Sequence, residues 1–122
     1  KMKRTIIILL APIIFLMFSC YGPYYENDNG KTVNLPVGSP FEINLNEELN
    51  DEYSWRLHSY DSSIVVPVLS PRINRSGEDT SLKTFYFQVV GDGETTISLV
   101  YSTGERMDNF KKEFNLMVRS SS

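Results

Sequence analysis

The chain reads as an all-β protein, an antiparallel Ig-like β-sandwich of about seven strands that follows an N-terminal apolar segment. Three observations predict this. From Thr32 onward, large apolar residues recur at every second position, the period of a half-buried strand. Gly, Pro and Asn interrupt that pattern at short intervals, as turns do. Beyond residue 20, no stretch carries the apolar spacing of an amphipathic helix.

The elements follow in order. Residues 21–31 (YGPYYENDNGK) are polar and rich in turn formers, and read as a tether. Residues 32–35 form a first short strand, ended by Pro36, Val37 and Gly38. Phe41, Ile43 and Leu45 alternate with Glu42, Asn44 and Asn46, and Tyr53, Trp55 and Leu57 alternate with Ser54, Arg56 and His58. Residues 64–69 are β-branched but contain Pro67, which suits an edge strand because proline cannot donate to a ladder. Phe85, Phe87 and Val89 mark the next strand, and Ile97, Leu99 and Tyr101 the one after it. Between them, Gly91, Asp92 and Gly93 read as a turn of the kind that joins antiparallel strands. Phe114, Leu116 and Val118 make the last strand. The sandwich domain therefore spans 32–119. Three connections are longer and more polar than turns: 46–52, 70–82 and 102–110. On an all-β scaffold such loops carry binding.

The first twenty residues are of another kind. Lys1, Lys3 and Arg4 precede an uncharged run dominated by Ile, Leu and Phe, which closes at Ser19 and Cys20. A basic start, a short apolar run and a small residue at the cut describe a secretory signal peptide. The run is shorter than the roughly 20 residues a spanning helix needs. A small residue directly before the lone cysteine resembles a bacterial lipoprotein signal. That resemblance implies cleavage before Cys20, lipidation of Cys20, and a domain exported and anchored to a membrane in the periplasm or at the cell surface.

Composition narrows the function. Without residues 1–20 the chain keeps nine basic and 15 acidic residues, a formal charge of −6. Nucleic acid is excluded as a partner, because phosphate binding needs a basic surface. With Cys20 as the only cysteine, no intrachain disulfide forms, and the domain depends on its apolar core. His58 is the only histidine and lies on the polar phase of its strand. No zinc site or nucleophile–histidine pair can be assembled from this set. Glu47, Glu48, Asp51 and Glu52 read as one solvated acidic loop, whose spacing fits no EF-hand. No glycine pattern supports nucleotide binding. The expectation is a binding protein, not an enzyme, with no cofactor and no metal.

The motif order is informative. A strand containing Phe41, Ile43 and Leu45 leads to a loop ending in Tyr53, Ser54 and Trp55. A polar loop with a glycine precedes Phe85, Tyr86 and Phe87, then come the glycine turn and the strand ending at Tyr101. This order resembles the chagasin-like inhibitors of papain-type cysteine peptidases, an Ig-like β-sandwich family. The resemblance covers residues 32–118. It implies inhibition by three loops clustered at one end of the sandwich and inserted into the peptidase groove.

Residue by residue, the loops depart from the family. Its first loop carries Asn-Pro-Thr-Thr-Gly, where this chain has Glu48, Leu49, Asn50, Asp51 and Glu52. Its second is glycine-rich; here residues 74–80 hold one glycine, Gly77. Its third begins Arg-Pro-Trp, where Tyr101 is followed by Ser102, Thr103, Gly104 and Glu105. The resemblance implies a peptidase-binding set of Leu49, Asn50, Asp51 and Glu52, then Gly77 and Glu78, then Thr103, Gly104 and Glu105. Tyr53 and Trp55 would support the first loop from beneath. The partner would be a papain-like or streptopain-like cysteine peptidase. A second reading is a non-inhibitory envelope module for a glycan or protein ligand, with Tyr60, Tyr86 and Phe110 as candidate aromatic contacts.

Overall fold

The computed structural model describes residues 21–49, 52–104 and 109–122. Two sheets face each other. One runs β1(Tyr21–Tyr24), β3(Pro40–Glu48), β7(Thr80–Val89), with β5(Val65–Pro67) and β6(Arg72–Arg75) sharing the far edge of β7. The other runs β2(Thr32–Pro36), β9(Phe110–Ser121), β8(Gly93–Thr103), β4(Tyr53–Ser59).

The alternation seen in the sequence is the alternation that fills the core. Phe41, Ile43 and Leu45 of β3 and Phe85, Phe87 and Val89 of β7 point inward from one sheet. Trp55, Ile97, Leu99, Tyr101, Phe114, Leu116 and Val118 meet them from the other. Phe41 and Phe87 stack with centroids 5.4 Å apart. Each such side chain contributes about 1.5–3 kcal/mol by leaving water.

Several expectations change. The segment 21–31 is built into the sandwich and is not a free tether. Tyr21–Tyr24 pairs in parallel with β3, and Tyr24 packs edge-on against Phe41. A 3-10 turn, Glu26–Asp28, then carries the chain from one sheet to the other. It is held at both sides: a Glu26 carboxylate oxygen accepts the Asn46 N–H at 2.8 Å, and Asn29 Oδ1 accepts the Asn115 N–H at 2.7 Å. Hydrogen bonds from Lys31 and from the Tyr25 N–H hold the Asp28 carboxyl below its ordinary pKa. The sheets are mainly antiparallel, but β1–β3 and β2–β9 are parallel: the chain runs alongside β3, crosses at 26–31 and returns alongside β9. Residues 70–82 are not one loop. They form β6, a short turn and the start of β7.

The glycine turn also differs. Strands β7 and β8 lie in different sheets, so Gly91, Asp92 and Gly93 make an arch between layers and not a hairpin. The Ile64 carbonyl accepts from both Val90 N–H (2.7 Å) and Gly91 N–H (3.3 Å). A Cβ on Gly91 would collide with the Ser63 backbone carbonyl. Gly91→Ala should therefore destabilise the domain by about 1–3 kcal/mol, the usual cost of overpacking. A urea melt of the variant with an unchanged slope and a lowered midpoint is the expected result.

Strand directions define the two ends. Strands β1, β3, β5, β6 and β8 run toward one end, and β2, β4, β7 and β9 run away from it. Tyr21, opposite Phe41, lies at the far end.

Candidate functional site

Three connections meet at the near end: β3–β4 around Leu49 and Glu52, β6–β7 around Gly77 and Glu78, and β8–β9 around Gly104. Register places them together. Glu48 pairs with Thr80, and the Leu49 N–H donates to the Asp79 carbonyl at 2.8 Å, which joins the first loop to the second. Tyr53 pairs with Thr103, which joins the first loop to the third. Leu49, Glu52, Gly77, Glu78 and Gly104 are exposed and Thr103 is half-buried. Asn50, Asp51, Glu105 and Cys20 lie outside the described residues.

Beneath the loops stands an aromatic column. Tyr53 stacks on Tyr101 at 5.7 Å, and Tyr101 lies 5.3 Å from Trp55. Trp55 is 2% exposed, and its Nε1–H donates to the Asn46 carbonyl at 2.9 Å. A bulge in the β8–β9 ladder between Tyr101 and Ser102 turns two successive lysines onto this column. Lys111 Nζ sits 4.1 Å above the Tyr53 ring and Lys112 Nζ 4.9 Å above that of Tyr101. Such contacts are worth about 0.5–2 kcal/mol each.

One acidic residue is not where the sequence reading put it. Glu47 does not belong to a solvated loop: it is 8% exposed, on the inward face of β3 after Phe41, Ile43 and Leu45. One of its carboxylate oxygens accepts from the Trp55 N–H and the Ser54 hydroxyl, both at 2.7 Å. Lys83, on the inward face of β7, stands 3.8 Å from that oxygen. Its ammonium donates to the Trp55 carbonyl at 2.9 Å and to Ser54 Oγ at 3.0 Å.

Strand β4 is the edge of its sheet, so the Trp55 N–H and C=O face outward with no neighbouring strand. Glu47 and Lys83 reach across from the opposite sheet and satisfy both. The pair thus clasps the two sheets under the first loop. Burial lowers the Lys83 pKa from the usual lysine value; Glu47 opposes that shift and the nearby Arg56 adds to it.

The second loop is preformed by Arg75, a residue the sequence reading passed over. Its guanidinium donates to the carbonyls of Glu78 (2.8 Å) and Gly77 (3.3 Å). The N–H groups of Ser76 and Gly77 both donate to the Thr80 carbonyl. No pattern in the sequence marks Arg75, whereas Glu47 and Lys83 are legible from the phase of their strands.

The aromatic residues of the glycan reading do not gather. Tyr60 lies at the far end, Phe110 at the loop end, and Tyr86 on β7 between them. Among the described residues, no three His, Cys, Asp or Glu side chains converge as metal ligands would.

A two-layer sandwich that gathers three connections at one end, over the Tyr53–Tyr101–Trp55 column, is a loop-presenting scaffold. The chain belongs to the chagasin family: the model for Chagasin family peptidase inhibitor I42 matches residues 34–118. The members are peptidase inhibitors and not enzymes. No curated protein sequence matches the chain. Among solved structures it is similar to the cysteine protease inhibitor EhICP2 of Entamoeba histolytica, with a TM-score of 0.70 at 16% identity over 80% of this chain and 93% of that one. It is also similar to amebosin, with a TM-score of 0.68 at 20% identity over 82% and 100%. The structure of PbICP-C in complex with falcipain-2 matches with a TM-score of 0.54 at 14% identity over 84% and 95%. At these identities the likeness is one of fold.

Proposed function

We propose that the protein is a reversible inhibitor of cysteine peptidases, papain-like or streptopain-like, that inserts its three loops into the active-site groove. The observation that carries this reading is the convergence of those loops at one end over the Tyr53–Tyr101–Trp55 column. The second loop, held by Arg75, loses little freedom on binding, so more of its contact energy appears as affinity. Family membership and the peptidase complex of PbICP-C support the same direction. The acidic residues at this end, Glu48, Glu52 and Glu78, suit a peptidase with a basic groove rim, which would raise the rate of encounter.

Titration of the protein against one peptidase of each type tests the reading. Stoichiometric loss of activity with either is the expected result; full activity with both at micromolar inhibitor overturns it. Arg75→Ala, which frees the second loop, should weaken inhibition about threefold to tenfold with little change in melting temperature.

We also read residues 1–20 as a lipoprotein signal and Cys20 as the lipidated residue, holding the domain in the periplasm or at the cell surface. Tyr21 lies at the end opposite the loops, so an anchor there leaves them facing away from the membrane. Cys20→Ser should shift the protein from the membrane fraction to the soluble one; unchanged fractionation contradicts the anchor.

A further inference from the structure

The flank of the sandwich between β4 and the β5–β6 edge holds a groove of about 420 Å³ that begins below the first loop, at Trp55 and Lys83. Trp55, Leu57, Pro67, Leu69, Phe85 and Phe87 line it. It exists because β5 and β6 are separate pieces: Pro67 and Pro71 flank a segment that bows away from β7, which leaves Leu69 63% exposed. Three features say what covers it.

The first is charge. Arg56 and Lys83 line the groove, Arg72 lies beside it, and Glu47 pairs with Lys83. This is local positive charge on a domain whose formal charge is −6 from nine basic and 15 acidic residues. The second is an unmet donor: the Nε of Arg56 is buried with no hydrogen-bond partner among the described residues. A buried donor left unpaired costs about 1–3 kcal/mol, which an incoming acceptor recovers.

The third is backbone. The Trp55 N–H and C=O face outward and are taken by Glu47 and Lys83. Two residues on, by the alternation of an antiparallel ladder, the N–H of Leu57 faces the same way, just before the ladder's register shifts between Leu57 and Ser59. This N–H has no partner from another element among the described residues. An edge with an unpaired backbone N–H, an apolar floor and an arginine Nε without a partner matches a peptide rather than a lipid tail.

We infer that this flank groove binds a short extended peptide segment that pairs with β4 at Leu57, lays an apolar side chain on the Phe85–Leu69 floor, and sets an acidic side chain against Arg56. The mode is strand addition, with backbone bonds for affinity and the arginine for specificity. The site shares Trp55 and Lys83 with the support beneath the first loop but includes no residue of the three loops, and it does not depend on the inhibitory reading.

The test uses the protein labelled with nitrogen-15 and the blocked peptide acetyl-Ser-Leu-Asp-Val-Ser-amide. Saturable shifts at the Leu57 amide and the Arg56 Nε–H are expected, weakened by added salt. The peptide with Lys in place of Asp should bind at least tenfold more weakly. Arg56→Gln should weaken the acidic peptide about tenfold or more, while Arg56→Lys retains part of the binding and confirms that the fold is intact. The inference is overturned by no saturable shift at Leu57 at millimolar peptide, or by equal response to the acidic and basic peptides. It is also overturned if dodecanoate fills the groove and neither peptide moves the Leu57 amide.

Discussion

Replacing Trp55 by alanine should cost about 3–5 kcal/mol of folding stability, the range for deleting a fully buried aromatic side chain. Trp55 is 2% exposed and belongs to the inter-sheet core. Its loss also leaves the Asn46 carbonyl without its 2.9 Å donor and Tyr101 without its neighbour. For a domain of about 100 residues, 1 kcal/mol shifts the melting temperature by about 4–8 °C, so a fall of at least about 12 °C is expected. Calorimetry checks this. A shift of a few degrees would mean that the column is not a principal support of the loop end. Trp55→Phe keeps most of the volume and loses the hydrogen bond, and should cost about 1–3 kcal/mol.

The second large effect is expected at Glu47. Glu47→Gln keeps an acceptor for the Trp55 N–H but removes the charge that balances Lys83. Breaking a buried pair by removing one partner costs about 3–5 kcal/mol, because the remaining charge stays buried without compensation. The Glu47 and Lys83 side chains are 8% and 14% exposed, so solvent screens this pair little. Glu47→Gln should therefore lose about 3 kcal/mol in urea unfolding. Adding Lys83→Met, which removes the stranded ammonium, should restore more than half of that loss. A double variant no better than the single one would show that the Trp55 hydrogen bonds, and not the charge pair, hold the clasp.

The same residues show what the sequence discloses and what it withholds. Strict alternation through Phe41, Ile43 and Leu45 predicts the inward face, and carried one step further it points Glu47 inward as well. Grouping Glu47 with Glu48, Asp51 and Glu52 by proximity in sequence overrode that phase. Lys83 is in phase with Phe85 and Phe87 and is legible in the same way. Strand β6 is not: its four residues are all exposed, so no apolar period betrays it. Strand β1 was hidden by Gly22 and Pro23, which read as turn formers but lie on a sheet edge where a missing donor is tolerated.

The bulge that brings Lys111 and Lys112 over the tyrosines is a ladder property with no sequence mark. Convergence of the loops came from the resemblance, since period-two patterns fix faces but not which strands are neighbours. The register of Glu48 with Thr80 and of Tyr53 with Thr103 supplies it directly.

The most direct measurement compares binding of the protein to a papain-type peptidase with its groove free and with its groove filled by a covalent peptidyl inhibitor. Loop insertion predicts tight binding to the free enzyme, its loss on the blocked one, and weakening by Arg75→Ala. Equal binding to both forms, or binding to neither, would contradict the account of the loop end as a groove-inserting surface.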